Sequence, residues 1–147
     1  MNKLFVLLTF AFVCGASFTG GISRQTDPWV PAQLVEPADL AAEINHPSAH
    51  PPLVVSVGPS ATIKGSQEAG PAKDAANLER LRVLLAKEDR NREVIIYCGC
   101  CPFARCPNVR PAFKLLTELK FQHARLLNLS HNIKTDWIDH GYPVKEN

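Results

Sequence analysis

The sequence has no excess of charge of either sign. Its 16 Lys and Arg stand against 14 Asp and Glu, a formal net charge of +2, and acids and bases are interspersed along the chain. A nucleic-acid surface or a polybasic membrane patch needs a clustered excess of Lys and Arg, so no nucleic-acid partner is expected. There is no internal repeat, no low-complexity tract and no sign of a second domain. The glycines at Gly65 and Gly70 bracket no Gly-Lys-Ser/Thr, which excludes a phosphate loop of the P-loop kind. Long apolar runs are also missing beyond the first 13 residues, so no stable membrane span is expected. The remaining length is enough to bury a core without covalent staples, and the cysteines are not needed as scaffolding.

What is present begins at the N-terminus. Met1-Asn2-Lys3 precedes the apolar stretch Leu4 to Val13, broken only by Thr9, and the small residues Gly15, Ala16 and Ser17 follow. A basic start, a short apolar core and a small-residue exit make a secretory signal peptide, expected over residues 1–20. Cys14 raises the lipoprotein alternative. Val13 before it is bulky where acylation-linked cleavage takes a small residue, so ordinary cleavage between Ala16 and Gly21 is favoured. The expected location is an oxidising one, periplasmic or secreted.

Residues 21–36 read as an extended lead-in, with Pro28 and Pro31 around Trp29, which is expected to cover an edge of the sheet. Residues 37–147 read as one domain. Pro37 to Ile44 has helical spacing, with Leu40 and Ile44 one turn apart. His46 and His50 lie among prolines that forbid a helix, so they are read as loop residues, not as metal ligands. Leu53 to Val57 is a β-branched run that stops at Gly58-Pro59, the profile of a buried strand. Ala61 to Lys73 reads as loop. Asp74 to Lys87 is helical, with Leu78, Leu81, Leu84 and Leu85 on one face. Val94 to Tyr97 is the most strand-like segment, Val109 to Leu119 is helical with Pro111 in its first turn, Ala124 to Leu129 is a third strand, and Asn132 to His140 is a closing helix ended by Gly141. Trp137 falls at core spacing from Ile133. Strands alternating with helices across short connections predict an α/β fold, a parallel sheet flanked by helices on both faces.

The chemistry is concentrated in Cys98-Gly99-Cys100-Cys101-Pro102-Phe103-Ala104-Arg105-Cys106-Pro107-Asn108, four thiols between a buried strand and a helix. The strand end is where open α/β sheets place their crevice. A helix N-terminus there offers unpaired N–H groups that stabilise a thiolate, lowering a cysteine pKa to about 3.5–7.5 from about 8.5.

A strand ending in Tyr97-Cys98, a loop, a helix, a strand ending in Asn128-Leu129, then Trp137 and Gly141-Tyr142-Pro143-Val144 resembles the C-terminal half of a rhodanese domain. The likeness extends over Glu36 to Val144. It implies a rhodanese-like sheet and Cys98 as the catalytic cysteine; Cys100, Cys101 and Cys106 depart from the family's pattern and are read as auxiliary thiols. It also implies a thiosulfate sulfurtransferase-like reaction: Cys98 takes sulfane sulfur from a small sulfur-containing donor as a persulfide and passes it to a thiol or protein acceptor. No cofactor is called for. Arg105 and Arg110 are candidate anion binders, with Asn108 beside them. Ser56 and Gly58 stand where the family carries Asp and Arg, and Ser130-His131-Asn132 where it often has a Gly-Gly turn.

Other chemistries of the same loop are a thiol-disulfide protein, using Cys98 with Cys100 or Cys101 and Cys106, and a noncatalytic metal- or partner-binding module. Within a disulfide reading, Cys106 paired with Cys100 or Cys101 is less strained than the adjacent pair. His131 is the one imidazole placed to join a metal, and is read as a polar turn residue.

Overall fold

A computed structural model describes residues 26–146. The signal-peptide reading of residues 1–20 and Cys14 lie outside the described residues, as do positions 21–25 of the lead-in. Among the described residues no helix is long and apolar enough to cross a membrane.

The strands are β1 (Leu34–Val35), β2 (Leu53–Ser56), β3 (Gln67–Glu68), β4 (Glu93–Tyr97) and β5 (His123–Leu127). They form one sheet in the order β1-β5-β4-β2-β3, and every pairing is parallel. The helices are α1 (Pro37–Asn45), α2 (Ala75–Ala86), α3 (Val109–Glu118) and α4 (Ile133–Asp136). The fold is α/β, as the alternation of strand and helix patterns predicts.

Period-two alternation assigns each strand residue to one of two cores. Val55, Val94, Ile96 and Leu126 face Leu81, Leu85 and Phe113 of α2 and α3. Val54, Ile95, Tyr97 and Leu127 face Leu40 of α1 and the Trp137 ring just after α4. Buried on both faces, β2 and β4 are runs of Val, Ile and Leu because neither side meets water. β4 lies in the middle of the sheet, and its C-terminal end delivers the chain into the cysteine loop.

The structure differs from the sequence expectations at four places, the first being β3, which lies within the segment Ala61 to Lys73 expected as loop and pairs with β2. The lead-in is part of the sheet: Leu34 and Val35 pair with Leu126 and Leu127 as an edge strand too short to leave a periodic signal. Trp29 is buried, with its ring 5.7 Å from that of Phe113 and 6.0 Å from that of Phe103, so it packs over α3 and the cysteine loop. The closing helix is broken. α4 stops at Asp136, Trp137 leaves helical geometry at φ −132°, and a 3-10 turn runs from Ile138 to His140. That break lets the fully buried indole donate its N–H to the Pro143 carbonyl at 3.0 Å.

Tyr97 ties the loop after β2 to the sheet. Its buried hydroxyl accepts from the backbone N–H of Thr62 and Ile63 at 3.0 and 3.2 Å and bonds the Ser66 hydroxyl at 3.0 Å. Tyr97→Phe leaves those N–H groups without an acceptor, and a buried unpaired donor costs about 1–3 kcal/mol. Urea unfolding of the variant is expected to show an unfolding free energy lower by that amount, read as a lower midpoint at an unchanged slope; an unchanged midpoint would show that water replaces the hydroxyl.

Candidate active site at the end of the central strand

Cys98 follows directly on β4 and is buried. The backbone of the loop after it is held at both ends. Gly99 accepts the Ile133 N–H on its carbonyl at 3.0 Å, and the Phe103 N–H donates to the Leu129 carbonyl at 3.0 Å, so the connection after β5 supports the loop from behind. Two glycines make the room. A Cβ on Gly99 would come within 2.7 Å of Ile133, and one on Gly58 within 2.8 Å of the Cys98 sulfur. Gly58 is therefore the wall against which Cys98 lies, and no side chain fits there. The sequence signal for it was the Gly-Pro stop after β2, which by itself reads only as a turn.

The Cys98 sulfur is met by polar partners from three directions. Asn108, itself buried, donates its side-chain N–H at 3.4 Å, and its other end is fixed because its oxygen accepts the Lys73 N–H at 3.1 Å. The Cys100 sulfur lies 3.2 Å away, with the Cys101 sulfur 3.3 Å further out. Cys106, fully buried one turn ahead of α3, completes a group in which the sulfurs of Cys98, Cys100 and Cys106 all lie within 4.8 Å of one another. The four cysteines among the described residues form no disulfide, which would require about 2.05 Å between sulfurs.

This arrangement separates the thiols electrically. Cys98 is lowered from 9.0 to about 5, first by its hydrogen bond with Cys106 and then, against the opposing effect of burial, by the Cys100 backbone N–H and the Asn108 and Cys100 side chains. Cys106 is pushed strongly upward by the same contact with Cys98 and by burial, although backbone N–H groups of Asn108 and Val109 oppose the rise. Cys100 is raised to about 12, first because its sulfur is withdrawn from water and then by Cys98 and Cys101 beside it. The contact between Cys98 and Cys106 thus favours the thiolate at Cys98 and the thiol at Cys106. The amides of Asn108 and Val109 at the start of α3 face Cys106, so the stabilising N–H groups expected at this helix N-terminus meet that thiol.

The remaining sequence candidates are placed as follows. Arg105 is exposed on the 3-10 turn Phe103–Arg105 and forms no ion pair among the described residues. Arg110 is engaged elsewhere: its guanidinium pairs with Asp27, donates to the Ala104 carbonyl at 3.0 Å and lies 5.3 Å over the Trp29 ring. Its contacts serve the N-terminal segment, not an anion at Cys98. Asn108 bonds the sulfur itself. Cys101 touches Cys100 and stays outside the three-sulfur group, and Cys106 joins Cys98 as well as Cys100, which spacing did not reveal. His131 bonds Asp136 at 2.9 Å on the exposed side of the following turn, as a polar turn residue does.

No protein-family model matches the chain. No curated protein matches its sequence. In fold it is similar to a solved structure of a cysteine-to-serine variant of EanB in complex with hercynine, with a TM-score of 0.53 and 15% sequence identity. The match covers 78% of this chain and 27% of that one, so the chain spans about a quarter of the neighbour's length, and the likeness concerns the fold alone.

Alkylation of Cys98 by iodoacetamide, followed by mass against pH, is expected to have its midpoint near pH 5. Removing a donor to the thiolate favours the thiol, so Asn108→Ala raises the midpoint, and Cys106→Ala raises it further because that contact is the larger. A wild-type midpoint near 9.0 would show that the thiolate is not stabilised.

Proposed function

We propose that this protein is an exported rhodanese-like sulfurtransferase that carries sulfane sulfur on Cys98. The observation that carries the reading is a buried cysteine at the C-terminal end of a central parallel strand, whose sulfur accepts the Asn108 N–H and whose pKa is lowered by Cys106 beside it. A thiolate is the nucleophilic form of cysteine, and at this position it is ionised at neutral pH without a general base.

The reaction balances with the groups present. The Cys98 thiolate attacks the outer sulfur of thiosulfate, the bond between the two thiosulfate sulfurs breaks, and sulfite leaves with the electron pair. Cys98 then bears a persulfide whose terminal sulfur is anionic. An acceptor thiolate or cyanide attacks that terminal sulfur, takes it as a persulfide or thiocyanate, and the Cys98 thiolate returns. No proton or external electron is consumed. Asn108, Cys106 and the Cys100 N–H hold the negative charge where it begins and ends. Arg105, exposed on the same loop, is the cation available to an anionic donor.

The 3.2 Å approach of Cys98 and Cys100 also favours thiol-disulfide exchange as a second reading, in which an external disulfide would take up two electrons as these two sulfurs bond. The two readings differ in what the protein gains. Incubated with thiosulfate, the reduced protein is expected to gain one sulfur atom by intact mass and to release one sulfite. Cyanide should remove that sulfur as thiocyanate. Cys98→Ser abolishes the gain, Cys101→Ser keeps it, and Arg105→Ala raises the KM for thiosulfate about tenfold, the effect of losing one charge-assisted contact. No sulfur gain in the wild type, with loss of two hydrogens on exposure to a disulfide, would replace sulfur transfer by redox exchange.

A further inference from the structure

Sulfur transfer through Cys98 leaves Cys106 without a reaction of its own, although it is fully buried and turned toward the other sulfurs. Three thiols reach one point from three parts of the chain: Cys98 from the end of β4, Cys100 from the loop, and Cys106 from the turn ahead of α3. The geometry points to a binding site for one Cu+ ion, coordinated by the sulfurs of Cys98, Cys100 and Cys106.

The donor set selects the metal. All three ligands are sulfur, and the imidazole of His131 is tied to Asp136, so cations that seek oxygen or nitrogen find nothing here. Metal–sulfur bonds of about 2.3 Å put three sulfurs of a planar trigonal site about 4.0 Å apart. The observed sulfurs lie within 4.8 Å of one another, the nearest pair at 3.2 Å, so both extremes fall within about 1 Å of that spacing. Zn²⁺ takes four ligands in a tetrahedron. Cys101 does not join the converging group, and as the immediate neighbour of Cys100 it points its sulfur to one side of it. A three-thiolate site suits Cu+, which is soft and accepts trigonal coordination.

Binding displaces the protons that Cys100 and Cys106 carry, and three thiolates around one Cu+ leave a net charge of −2. The N–H groups already aimed at the sulfurs offset it: the Asn108 side chain and Cys100 backbone at Cys98, and the Asn108 and Val109 backbones at Cys106. One edge of the site opens to solvent through Cys100, the exposed member, which supplies a route for the ion. The site stands whether or not Cys98 forms a persulfide.

The test is an anaerobic titration of the full, reduced chain with Cu+ against a chromophoric Cu+ chelator, with copper X-ray absorption on the loaded protein. One Cu+ per chain and three sulfur neighbours are expected. Cys106→Ser and Cys100→Ser should each weaken binding by more than the 10–100-fold that the loss of an outer partner costs, about 100-fold or beyond, while Cys101→Ser leaves it within about threefold. Cys100 is exposed, so its variant keeps the test valid even where the buried Cys106 substitution disturbs folding. Failure to compete with the chelator, equal weakening by Cys101→Ser, or four-sulfur coordination with Zn²⁺ held in preference would each overturn the assignment.

Discussion

The buried Cys98 sulfur at the end of β4, with its pKa lowered toward the thiolate, is the constraint on which the surrounding structure depends. Withdrawing a full negative charge from water is costly unless donors replace the lost solvent. Cys98 obtains them from side chains and amides of the loop that follows it and of the start of α3. Asn108 comes from the start of α3 and is itself oriented by the backbone of Lys73. Cys106 precedes the same helix, and Cys100 lies two residues on. Each of these groups has to be in place together, because a partly satisfied buried charge is worse than none.

The sheet supplies that coincidence. Parallel strands present their C-terminal ends on one side, so the loops after β2, β4 and β5 meet around one sulfur. The β2 loop contributes the bare Gly58 wall, and Tyr97 holds the rest of that loop down from the opposite core. The β5 connection holds the cysteine loop through Gly99 and Phe103. Trp29 and Phe103 cover the outer flank, and Arg110 with Asp27 fastens the segment that carries Trp29. Of the two arginines at the loop, Arg110 is engaged structurally, and Arg105 is exposed without an ion pair among the described residues.

The proposed sulfur transfer and the proposed Cu+ binding would draw on different properties of one cluster. The first uses the asymmetry of the thiols, with a single ionised sulfur and protonated neighbours. The second uses their convergence, with three sulfurs replacing a hydration shell. Both follow from placing Cys106 against Cys98, a contact that supplies a proton donor in one case and a ligand in the other.

Much of this was legible in the chain itself. Val94 to Tyr97 and Leu53 to Val57 are β-branched runs bounded by polar or glycine residues, and Leu78 to Leu85 has helical spacing, because local burial imposes local periodicity. The α/β class and the position of Cys98 at a strand end follow from those patterns. What lacked a local signature was hidden for a physical reason in each case. β1 is two residues long, the break at Trp137 is set by a distant carbonyl, and the glycine at position 58 is required by a sulfur forty residues away. The sequence by itself determined where the reactive thiols lie along the chain and on what kind of element, since those depend on neighbours in the chain. Which thiol is ionised, which arginine is free and which three sulfurs converge were decided only by the tertiary structure, because charge and coordination depend on distance in space, and the packing of three loops against one sheet end sets that distance.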